Sequence, residues 1–121
     1  MHTILIVEDD AMFRKMLKSI LLSRFPSMAV YEAPEGTGAW KKISTTRPDI
    51  IFMDIRLPGE NGLVLTKKIK DRYPDIAVII LTSHDLPEYR KAAQQMGAEY
   101  FLSKGSTRPG EIVELVESLT G

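Results

Sequence analysis

Three short apolar runs decide most of what this chain can become: TILIV at 3–7, DIIFMDI at 49–55 and IAVIILT at 76–82. Their apolar stretches are unbroken and rich in β-branched residues. A strand with one wet face alternates apolar and polar residues; these do not, so both faces of each are expected to be buried. MAVYEA at 28–33 and YFLS at 100–103 read as two further strands. Between the runs the period changes. Phe13, Met16, Leu17, Ile20 and Leu21 line one face of a helix over 12–24, which Pro26 ends. Residues 36–46, with Trp40 and Ile43, form a short helix, and Leu63 to Tyr73 form another that stops at Pro74. Pro87 opens a helix through Met96 that Gly97 closes. Pro109 opens the last, with Ile112, Leu115, Val116 and Leu119 at helical spacing.

Strand followed by helix, five times over, predicts an α/β fold. Right-handed crossovers between parallel strands place helices on both faces of a five-stranded parallel sheet. The 121 residues suffice for one domain, spanning 1–121, with a real core. Lys plus Arg and Asp plus Glu both number 16, so no charge excess points this domain toward nucleic acid or a membrane surface. The absence of cysteine excludes disulfides, a thiolate nucleophile and thiolate metal sites. No apolar run is long enough for a membrane span and MHTILIVEDD has no signal-type start, so the expected location is the cytoplasm.

In parallel sheets of this kind chemistry gathers beyond the carboxyl ends of the strands. The residues closing the predicted strands are Glu8 and Asp9, Asp54, Thr82 and Ser83, and Lys104. Acids brought this close repel one another unless a cation joins them. Hard oxygen ligands suit Mg²⁺, which takes one or two carboxylates and keeps several waters. A carboxylate beside such an ion can attack phosphorus, and Asp54, alone at the end of an apolar strand, is the candidate nucleophile. Phosphoryl transfer needs positioning and charge neutralisation more than covalent help. Lys104 offers a point charge and Thr82 a hydroxyl.

Other readings compete. Asp10 reads as an acid favoured at a helix N-terminus. Thr82, Ser83 and His84 could cap the following helix. Trp40 reads as packing, and His2 with His84 is not a credible metal pair. A flavin or nucleotide binder needs a Gly- or Ser/Thr-rich loop after the first strand, where this chain has acids. A phosphatase with an Asp nucleophile often carries a second acid two residues on, where this chain has Arg56.

The stretches ILIVEDD, DIIFMDIRLPGENG, IAVIILTS and YFLSK cover essentially the whole chain. In this order and spacing they resemble the receiver domain of a two-component response regulator, of the chemotaxis-regulator-like kind. The resemblance implies a flavodoxin-like strand order 2-1-3-4-5. It implies Asp54 as phospho-acceptor, fed by a sensor histidine kinase or phosphotransfer protein. Asp9 and Asp54 would bind Mg²⁺ directly, Glu8 through a water, and Arg56 through its backbone carbonyl. Lys104 would pair with the phosphoryl group, Thr82 would be the switch hydroxyl and Phe101 the switch aromatic. Such a domain catalyses only its own phosphorylation and dephosphorylation. The last two helices, with Tyr89 and Phe101, would form the partner or homodimer face. SKGS after the fifth strand resembles receivers of helix-turn-helix regulators, so the implied output is transcription control through an effector domain outside this chain. A degenerate receiver acting as a phosphorylation-independent binding module is the alternative. Gly105 stands where the family usually has proline, often with a cis bond. Arg56 and His84 flank the approach of water to Asp54, from which slow self-dephosphorylation is expected.

Overall fold

The computed structural model describes residues 2–121. Ten elements alternate along it: β1 (Thr3–Val7), α1 (Ala11–Arg24), β2 (Ala29–Ala33), α2 (Gly36–Thr46), β3 (Ile50–Met53), α3 (Gly62–Arg72), β4 (Ala77–Thr82), α4 (Pro87–Met96), β5 (Tyr100–Ser103) and α5 (Pro109–Thr120). The five strands pair in parallel in the order β2-β1-β3-β4-β5. The α/β class is the one the alternating pattern predicts, and the 2-1-3-4-5 order is the one the family resemblance implies.

Each strand is pleated, so alternate residues serve opposite faces. Leu5, Val7, Ile51, Met53, Val78 and Ile80 face a layer completed by Ala39 and Ile43 of α2, Leu65 and Ile69 of α3, and Ala93 of α4. Ile4, Ile6, Ile50, Phe52, Ile79 and Leu81 face a second layer, completed by Leu17 and Leu21 of α1 and Ile112 and Val116 of α5. The unbroken apolar runs exist because the sheet has a dry core on both sides.

Helix starts follow local chemistry. The Asp10 carboxylate accepts the Met12 and Phe13 N–H groups, so Asp10 is the N-cap of α1, in keeping with its reading as a helix-terminal acid. Glu35 caps α2 in the same way and Asn61 caps α3, while α4 and α5 open on Pro87 and Pro109. The N-cap of α4 is Leu86, so Thr82, Ser83 and His84 do not cap that helix.

The third strand is shorter than the 49–55 run that predicts it. Its end is set by Ile55, whose N–H goes to the Asp54 carboxylate and whose carbonyl accepts the Gly62 N–H. Neither group is left for the ladder, and the chain turns out of the sheet. No peptide bond among the described residues is cis, so Lys104–Gly105 is trans. No helix among them is long and apolar enough to cross a membrane.

Candidate functional site at the carboxyl ends of the strands

The sheet carries its backbone bonds one residue past the strands. The N–H of Glu8 donates to the Ala33 carbonyl at 3.0 Å, that of Asp54 to Val7 at 3.0 Å, and that of Lys104 to Thr82 at 2.9 Å. Residues far apart in the chain are thereby held side by side on a rigid edge. Glu8, Asp9 and Asp54 each present a carboxylate oxygen within 4.8 Å of the others. Glu8 and Asp54 are buried, 3% and 6% exposed, whereas Asp9 is open to solvent.

The Lys104 ammonium enters this cluster. Its Nζ lies 2.5 Å from Glu8 Oε1 and 3.2 Å from Asp54 Oδ2. Asp54 Oδ1 accepts the Ile55 N–H at 2.8 Å, and Glu8 Oε2 accepts the Asp10 N–H at 3.0 Å. Burial pushes the Glu8 carboxyl up to about 7, with the Asp54 charge adding to the effect; the Lys104 ammonium and the Asp10 N–H oppose it without cancelling it. Burial works against the Lys104 charge too, but the hydrogen bond to Glu8 and the charge of Asp54 outweigh it and hold the ammonium above its ordinary value. The ammonium pairs with Glu8 and Asp54, and the Asp9 carboxylate beside them has no such partner in the cluster. The donors are all hard oxygens gathered within a few ångströms, a set that fits a small divalent cation.

Thr82 is fully buried at the end of β4, and its hydroxyl oxygen accepts the His84 N–H at 3.2 Å. Phe101 pairs in register with Ile80 and packs half-buried against the α2–α3–α4 layer. The Arg90 guanidinium lies 4.7 Å from the centre of its ring and also holds Asp85 with two hydrogen bonds, of 2.6 and 3.0 Å. The Arg56 side chain is exposed.

Three features escape sequence reasoning. Gly62 runs directly under Asp54: a Cβ there would sit 1.9 Å from the Asp54 carbonyl oxygen. In the sequence it is just one turn residue of LPGENG. Arg14 donates to the Glu8 carbonyl at 2.7 Å and to the Glu32 carboxylate at 3.0 Å, tying β1 to β2 beside the cluster. Nothing in the helical period distinguishes it from a solvated arginine. Phe13 reads as a core residue of α1, yet its ring centre lies 4.2 Å from Lys104 Nζ.

Known proteins share this arrangement of elements. A family model described as the response regulator receiver domain matches residues 4–117. The transcriptional regulatory protein DegU of Brevibacillus brevis is 34% identical over 101 residues, which cover 84% of this chain and 43% of that protein. The BeF3-activated N-terminal receiver domain of Klebsiella pneumoniae RstA superposes with a TM-score of 0.90 at 26% identity, covering 99% of this chain and 100% of the other. A LuxR-family two-component response regulator from Aurantimonas sp. SI85-9A1 gives a TM-score of 0.86 at 30% identity, covering 97% and 83%. The chain spans less than half the length of the curated relative it matches. On the match of its residues 4–117, with the five-stranded parallel fold beneath it, the chain belongs to the response regulator receiver domain family of two-component systems.

Proposed function

We propose that Asp54 accepts a phosphoryl group from the phosphohistidine of a sensor histidine kinase or phosphotransfer protein, and that the modified site switches a surface controlling transcription. The observation carrying this reading is the buried Asp54 carboxylate, held by the Ile55 N–H and by Lys104 inside an acidic cluster with Glu8 and Asp9. Asp9 and Asp54 would hold Mg²⁺ directly, Glu8 through a water, and Arg56 through its backbone carbonyl. The ion, when bound, supplies positive charge against the acids and the phosphoryl oxygens.

The chain's own groups do the rest. An Asp54 oxygen attacks phosphorus; the O–P bond forms as the N–P bond breaks, and the imidazole nitrogen leaves with the electron pair. Lys104 is near enough to follow the charge from the carboxylate to a phosphoryl oxygen. Thr82 accepts from His84, so its own hydroxyl proton can be offered to the phosphoryl group. A Thr82 hydroxyl drawn to that group leaves room for the Phe101 ring to turn, which carries the change to α4 and β5. Tyr100, exposed on the edge strand, extends this face toward α5 and a homodimer.

The domain turns over only its own phosphate. The exposed Arg56 in place of a second acid supports that reading, and with His84 it slows the return of water to the site. The setting is cytoplasmic. The effector is a further domain, in keeping with DegU being a transcriptional regulator of more than twice this matched length.

Intact mass after incubation with acetyl phosphate and Mg²⁺ tests the proposal. The wild type should gain one phosphoryl group, and the gain should vanish with EDTA and in Asp54→Ala. A wild type that stays folded by circular dichroism and gains nothing would overturn it in favour of the phosphorylation-independent binding module.

A further inference from the structure

We infer that Phe13 is a positioning residue for Lys104, an inference that rests on the phospho-acceptor reading of Asp54. The Lys104 side chain is only 15% exposed, and its ammonium meets protein oxygens at Glu8 and Asp54. The face of the Phe13 ring also lies over it, with the centroid 4.2 Å from Nζ. A ring face attracts a cation through its quadrupole, more strongly where water is kept away.

The placement is built into the turn after β1. Asp10 caps α1 by accepting the Phe13 N–H at 3.2 Å, which fixes the first helical turn. The segment that supplies Glu8 and Asp9 to the cluster therefore also supplies the ring. Phe13, Lys104, Leu81, Thr107 and Ile112 share the lining of a largely apolar cavity of about 200 Å³ between α1 and α5. That apolar setting keeps the ammonium from turning away from the acids.

A ring suits this position better than a third acid. A carboxylate would bind the ammonium hydrogens in competition with an incoming phosphoryl oxygen. A ring face has no lone pair to offer and no strict directionality, so the ammonium can move from Glu8 and Asp54 toward phosphate without losing it.

The test places 4-fluoro-, 3,5-difluoro- and 3,4,5-trifluorophenylalanine at position 13 alone. These rings barely change in shape but lose electron density stepwise. Initial phosphorylation rates with acetyl phosphate and Mg²⁺ should fall stepwise, by roughly threefold to tenfold over the series, while Tm and Mg²⁺ affinity hold steady. Rates that stay at the wild-type value across the series would overturn the inference and leave the ring a plain hydrophobic wall.

The proton shifts of the Lys104 ε-methylene provide a second readout that needs no phosphorylation. They should lie upfield in the unmodified protein and return to ordinary values in Phe13→Leu; shifts that do not move overturn the contact itself. Failure of the unmodified protein to take up phosphate overturns the phospho-acceptor reading and the role of Phe13 with it. The methylene shifts then still show whether ring and ammonium meet.

Discussion

Single residues set the charge state of this site. Glu8 sits on a dry edge with Asp54 and Lys104, and burial keeps its carboxyl protonated up to about 7, against 4.5 for an ordinary glutamate. Between those values the folded chain binds a proton that the unfolded chain has released. Stability of the metal-free protein should therefore fall as pH rises through that window. Lys104 is raised from an already high value and stays charged throughout, so it does not contribute there. Urea midpoints at about pH 5 and about pH 8 check this: the wild type should lose more stability than Glu8→Gln, which has no proton to release. Gly62 acts through space alone. A Cβ placed 1.9 Å from the Asp54 carbonyl oxygen has nowhere to go, because the atom it meets is backbone. Gly62→Ala should cost about 1–3 kcal/mol or more in urea unfolding, by overpacking. It should also slow phosphorylation by acetyl phosphate, since the strain falls on the peptide of Asp54, the proposed acceptor.

At the scale of elements, the turn from β1 into α1 supplies two acids of the cluster and the cap of α1. Asp10 satisfies two orphan N–H groups of α1, and its own N–H bonds Glu8. Asp10→Ala should cost about 1 kcal/mol of stability, the ordinary value of an N-cap side chain, read as a lower urea midpoint at unchanged slope. The mutant should also phosphorylate more slowly, because Glu8 and Phe13 are anchored through the same turn. Boundaries at this scale were largely legible in the chain. β1, α2, α4 and β5 match their predicted spans, since prolines or glycines lie near the ends of the last three and acids close the apolar run of β1. β3 does not match. Its apolar run continues to Ile55, but Ile55 spends its backbone groups on Asp54 and Gly62. Hydrophobicity records burial, and Ile55 is buried whether or not it belongs to the strand.

The whole molecule is one sheet shared by two apolar layers, so neither layer can be removed without uncovering the other face of the same strands. Leu21 lies in the α1–α5 layer, while Trp40, the single tryptophan, packs against the layer of α2, α3 and α4. Leu21→Ala should lower stability by about 2–5 kcal/mol. Trp40 fluorescence, on the far face, should report the same shifted midpoint as circular dichroism; two separate midpoints would mean that the layers unfold independently. The chain by itself determined the α/β class, the ten alternating elements and the set of polar residues at the strand ends. Those follow from periodicity and from which residue closes each apolar run, information that is local in sequence. The strand order came only with the family resemblance. The tertiary structure alone decided that Lys104 bridges Glu8 and Asp54, that Phe13 faces its ammonium and that Gly62 lies under Asp54. Lys104 and Asp54 are 50 residues apart in the chain, and they meet because parallel pairing lines up the ends of β1, β3, β4 and β5. Contacts of that kind depend on distances across the sheet, which no periodicity along the chain encodes.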